Sequence, residues 1–157
     1  MSVESLSEYG KCVSIEAVYD VERRIDLLFV QLDEFLDMIR MNKIERPLRF
    51  ISNQIGEIKK LANSHVDENF KQEVYLGILR KCLVLIKIID CPEYIVVVKN
   101  MAIDVIDLIE EENKANPLKR LCYAFIAIGK IDQALEIANL ISDPRERESM
   151  ISQVTAK

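Results

Sequence analysis

The sequence predicts an all-α protein, built of antiparallel helical hairpins as a short α-solenoid or a bundle of about six or seven helices. Three observations carry that expectation. Apolar residues recur at spacings of three and four over long windows, which is the period of a helix with one buried face. Only 4 glycines and 4 prolines occur in 157 residues, too few turn formers for a fold made of strands and tight turns. Those prolines, at 47, 92, 117 and 144, stand where helices should begin, in the turn that tolerates a missing N–H.

The first long element runs from about Val18 to Met41. Val18, Val21, Ile25, Leu28, Leu32, Phe35 and Ile39 form a heptad stripe, and Phe29 and Leu36 widen its flank. A face this wide suits a globular helix rather than the narrow seam of a two-stranded coiled coil. Glu22, Arg23, Asp26, Asp33, Glu34, Asp37 and Arg40 suit water on the opposite face. Pro47 opens a second helix whose apolar face is Leu48, Ile51, Ile55, Ile58 and Leu61-Ala62. After the polar break Asn63-Ser64-His65, Asp67 is the expected N-cap of a third helix from Glu68 to Ile89, with Gly77 inside it as a place of close helix approach.

A fourth helix is expected from Pro92 to Glu112. Ile95, Val98, Ala102, Val105 and Ile109 share one face, and Val96, Val97, Ile103 and Ile106 make other sides apolar. A helix apolar on several sides is expected to be central. Residues 95–98 alone could also form a strand. Three shorter helices follow, Leu118 to Ile128, Ile131 to Ile141 and Arg145 to Val154. Asn116 and Asp143 are their expected caps, and Asp143 with Glu146 resembles a capping box. Residues 1–157 read as a single domain, with 1–17 as a flexible or partly helical N-terminal segment that Gly10 interrupts and from which Ser14 could cap the first long helix.

Half the residues are apolar and 30% are charged, a globular rather than disordered profile. The net charge of -5 argues against nucleic acid and against an anionic membrane surface, and basic residues occur only in short pairs such as Lys59-Lys60 and Arg80-Lys81. The chain starts without a basic and apolar leader and holds no apolar run of the ~18 residues needed to span a bilayer, so a cytoplasmic protein is expected. Cys12, Cys82, Cys91 and Cys122 never stand in a C-x-x-C spacing, so they read as free thiols with no metal role.

No catalytic, cofactor-binding or metal-ligating constellation is visible. His65 is the only histidine, so any Ser-His-Asp arrangement would rest on it. It has no G-x-S-x-G partner and reads as a solvated loop residue. Glu-x-x-His pairs and phosphate-binding glycine loops do not occur. Glu110-Glu111-Glu112 reads as a solvated helix end, with contact to a basic peptide as its functional alternative. Arg145 to Glu148 alternates in sign, as an exposed face does.

Residues 116–144 carry a known pattern. Leu118, Leu121, Cys122 and Phe125 are followed by Gly129 at a turn, then by Ala134, Ala138 and Pro144. This resembles a degenerate tetratricopeptide-like hairpin. Leucine stands for tryptophan at 118, cysteine for glycine at 122 and alanine for the aromatic at 138. The helix 102–109 parallels 134–141 position by position, although the intervals are unequal. The resemblance implies stacked hairpins that present a groove to another protein. The expected function is therefore a non-catalytic, helical-repeat module for protein–protein interaction, without cofactor, whose partner is another protein or a second copy of the chain. Phe29, Leu36, Met150, Ile151 and Val154 are the candidate interface, because the first and last helices hold more apolar surface than a small domain can cover. The alternative is a small-molecule-binding or enzymatic helical bundle with a site of scattered residues.

Overall fold

The computed structural model describes residues 15–41, 47–89 and 91–156. Gly10, Cys12, Ser14 and most of the expected N-terminal segment lie outside the described residues; its last three positions, 15–17, begin the first helix. Among the described residues the chain is all-helical, with α1 (Ile15–Arg40), α2 (Pro47–Asn63), α3 (Glu68–Ile88), α4 (Pro92–Ile106), α5 (Ala115–Ala127), α6 (Ile131–Ala138) and α7 (Pro144–Thr155). A short 3-10 turn at Glu111–Asn113 precedes α5, and residues 95–98 are helix rather than strand. The contacts gather into two compact units, Met1–Val74 and Tyr75–Lys157, with the boundary inside α3.

In the first unit α1 and α2 form an antiparallel pair. Phe35 stacks at a tilt on Phe50 with ring centroids 4.0 Å apart, and Gln54 donates to Gln31 at 3.0 Å. One number rises as the other falls, as it must when the helices run in opposite directions. Ile25, Leu32, Leu36 and Ile39 are the buried positions of α1, whereas Leu28 and Phe35 are only half-buried. A straight helix turns about 100° per residue and drifts about 20° per heptad against a strict seven-residue repeat. Relative to Ile25, Leu36 therefore stands only roughly 20° away, while Phe35 stands roughly 80° to the other side. Leu36 belongs to the centre of the buried face, and the expected stripe is rotated accordingly.

The face of α1 expected to be polar is also mixed. Leu27, Val30, Met38 and Met41 are 56%, 54%, 41% and 61% exposed.

His65 departs most from expectation, being 6% exposed rather than solvated. Its Nδ1 accepts from the Asp67 backbone N–H at 2.9 Å, and its Nε2 lies 2.8 Å from Glu22 Oε2. An acceptor at Nδ1 leaves the Nε2–H to donate to the carboxylate. The ring also stacks on Phe70 at 4.3 Å. The polar break after α2 is thus tied to α1 and to the start of α3. Asp67 caps α3 as expected, accepting from the Asn69 N–H at 3.0 Å.

In the second unit α4 ends six residues before Glu112. The Leu108 and Ile109 N–H groups bond three residues back, to Val105 and Ile106, which tightens the chain and returns Ile109 to the interior at 4% exposure. The helix is less enclosed than its composition suggests: Val96 and Val97 are 39% and 42% exposed, whereas Lys99 is buried and its Nζ meets Glu136 Oε2 at 2.9 Å. The acidic run Glu110–Glu112 precedes α5 instead of closing α4, and Glu111 accepts from Ser142 and pairs with Lys114. Both contacts hold the Glu111 carboxyl below its ordinary value, the Ser142 hydrogen bond most of all.

α5 starts at Ala115 with Lys114 in the cap position, so Asn116 is not its cap. Pro117 stands in the first turn, where its missing N–H has no partner to lose. The turn to α6 is built on Gly129, whose φ of 76° lies in the left-handed region. Lys130 N–H bonds to Phe125 O at 2.9 Å and Gly129 N–H to Ile126 O at 3.0 Å, the paired closure of a Schellman motif. α6 folds back on α5, and the Cys122 thiol donates to Ala134 O at 3.5 Å. That close approach requires a small residue at 134, and both Ala134 and Ala138 are fully buried. α6 ends at Ala138, three residues before Ile141.

Asp143 caps α7, accepting from the Glu146 N–H at 3.0 Å, while Arg147 holds the preceding turn through Ile141 O at 2.9 Å. Lys119 pairs with Glu146 and Tyr123 with Gln153, so α7 runs in the same direction as α5.

Candidate functional site

α5 buries Leu118, Leu121, Cys122, Ala124 and Phe125. The same helical rotation turns Lys119, Arg120, Tyr123 and Ala127 toward its other side. Tyr123 is 47% exposed and stands on the ridge between two open concavities. One, of about 370 Å³, lies between α5 and α7 and is lined by Lys119, Tyr123, Arg145, Glu146, Ser149, Met150 and Gln153. The other, of about 360 Å³, lies between α3 and α5 and is lined by Leu83, Lys87, Arg120, Tyr123, Ala124 and Ala127. Ala124 and Ala127 leave room that larger residues would fill.

The polar groups here are held in place. The Tyr123 hydroxyl donates to Gln153 Oε1 at 2.9 Å. Lys119 donates to Glu146, which raises the ammonium pKa, and the backbone of Glu146 is fixed by the Asp143 cap. Both linings lack histidine and cysteine. The arrangement can receive the side chains and backbone of an extended or helical segment.

Of the five residues expected to form an interface, Leu36, Met150 and Val154 are 3%, 1% and 0% exposed, and Phe29 and Ile151 are half-buried. Leu36, Met150 and Val154 are interior residues of their own units. The reason for Leu36 is the helical drift along α1. For Met150 and Val154 it is the packing of α7 on α5 and α6. Met150 alone of the five reaches the candidate site, as part of the α5–α7 lining. Tyr123, Arg120 and Arg145 went unread as site residues. The available signal was rotational, because Tyr123 interrupts a run whose neighbours all point to the core.

Among the described residues no group of three or more histidine, cysteine or acidic side chains could hold a metal, and no helix is long and apolar enough to cross a membrane. Among the described residues Cys82, Cys91 and Cys122 are not joined in disulfides. Burial pushes the Cys122 thiol up to about 12. Gln133 Oε1 is the buried side-chain polar atom left without a partner among the described residues.

Among the described residues, fold and site together define an all-helical protein with open grooves on either side of α5. No protein-family model, no curated protein and no solved structure matches this chain.

Proposed function

We propose that this protein is a non-catalytic helical-repeat module that binds a segment of another protein along α5, in the grooves on either side of Tyr123. The observation that carries the reading is a half-exposed aromatic ring on a rigid helix, flanked by two concavities of about 370 and 360 Å³. Tyrosine in such a place supplies a large contact area at little entropic cost. The α5–α6 hairpin, with its glycine turn and buried alanines, supports the tetratricopeptide-like reading of residues 116–144. The buried His65 and Lys99 each meet a carboxylate, which favours an interaction module over an enzymatic bundle with polar groups left to react. The expected setting is the cytoplasm.

Photo-crosslinking in the native cell tests this. With p-benzoylphenylalanine in place of Tyr123, a discrete covalent adduct to a second protein is expected, and none with the same residue in place of the exposed Asn53 of α2. An adduct of twice the chain mass would name a second copy as the occupant. Absence of any adduct at 123, or the same adducts from both positions, would refute the reading.

A further inference from the structure

Leu27, Val30, Met38 and Met41 point away from the buried face of α1 and are 41–61% exposed. At about 100° per residue they fall, with Glu34, within roughly 80° of one another and roughly 170° from the buried Ile25, Leu32, Leu36 and Ile39. They extend over about 21 Å of helix at 1.5 Å per residue, the length of about four turns of a partner helix. Isolated exposed apolar residues need no explanation, but four in one stripe do.

The surroundings of the stripe are acidic. Asp20, Asp26, Asp33, Glu34 and Asp37 are all exposed on α1 against Arg23, Arg24 and Arg40. Two of those arginines are already engaged within the helix. Arg40 pairs with Asp37 at 2.8 Å, and Arg23 lies 3.9 Å from Asp20 with its guanidinium over the Tyr19 ring. With Asp20 and Asp37 paired to those arginines, Asp26 and Glu34 stand against Arg24, a net negative charge beside the apolar strip.

We propose that the outward face of α1 docks a basic amphipathic helix of a partner protein. Leucine-like side chains of that helix would cover Leu27, Val30, Met38 and Met41, and flanking lysines or arginines would meet Glu34 and Asp26. A second copy of this chain fits poorly. The spacing is symmetric about Glu34, so antiparallel and in-register parallel pairing both set Glu34 against Glu34. An anionic lipid surface is repelled by the same carboxylates. This surface lies in the first unit and goes beyond the α5 grooves, which lie in the second.

The test titrates the full chain by calorimetry with a leucine–lysine helix of about 18 residues, leucines on one face, and with a scrambled peptide of equal composition. The amphipathic helix should bind at least about tenfold tighter than the scramble. In the double variant Val30→Glu, Met38→Glu that binding should fall about tenfold or more. The sign is diagnostic, because two added carboxylates would strengthen plain attraction to a cationic peptide. Tyr123→Glu on α5 should leave the titration unchanged, which separates this surface from the α5 reading. Equal binding of the scramble, or undiminished binding by the double variant, would overturn the proposal. So would a dimer in light scattering that the double variant disperses. The changed positions are 54% and 41% exposed, so a native thermal melt is expected; if the double variant unfolds, Leu27→Glu at 56% exposure serves instead.

Discussion

The same substitution at two glycines should change stability in opposite directions. Gly56 lies within α2 and Gly129 at the α5–α6 turn, and a Cβ built at either meets nothing within 4 Å. Sterics with the surroundings therefore drop out, and only the backbone decides. Gly129 has a φ of 76°, where an L side chain crowds its own carbonyl at a cost of about 1–2 kcal/mol. Gly56 lies in a helix interior, where alanine is favoured over glycine by about 0.5–1 kcal/mol. Gly129→Ala should lose, and Gly56→Ala should gain, those amounts in urea denaturation followed by circular dichroism. For a chain of this size each kcal/mol moves the melting temperature by about 2–4 °C. Gly129→Asn should lose less than Gly129→Ala, because asparagine visits the left-handed region more readily. If Gly129→Ala is neutral or stabilising, the Schellman turn is not what closes the hairpin.

Core truncations should be costly at buried positions in each unit. Leu32 and Phe125 are each 0% exposed, and changing either to alanine should destabilise by about 2–5 kcal/mol in the same denaturation assay, whereas Leu28→Ala, at a half-buried position, should cost less. The thiols should differ in reactivity. Cys122 is buried with its pKa raised to about 12, so a mild alkylating agent at pH 8 should modify half-buried Cys91 before Cys122, as mass spectrometry of digests would read. The sign of the pH effect follows from the same shift. The native thiol keeps its proton above the pH at which the unfolded thiol loses it, so the native state binds more protons, and stability should fall as pH rises past the ordinary thiol value. Cys122→Ala should flatten that alkaline slope.

Sequence periodicity by itself determined the all-helical class and most helix starts, because these depend on local chemistry. A proline in the first turn, Asp67 and Asp143 as caps, and apolar residues at spacings of three and four act within a few residues of where they stand. Helix ends were less legible. α4 stops at Ile106 and α6 at Ala138 although the apolar pattern continues, and Ile109 and Ile141 are buried from the turns beyond the helix ends. Rotation of each helix about its axis was likewise decided by packing. Leu36 and Phe35 differ by one residue, yet Leu36 is buried and Phe35, stacked on Phe50 of α2, is only half-buried. His65 is a loop residue as expected but reads as solvated, because Glu22, 43 positions earlier, is invisible to any local window. The same holds for Tyr123 between its grooves and for the outward stripe of α1. An apolar residue counts as core or as contact surface only once its neighbours are in place, and only the tertiary structure supplies them.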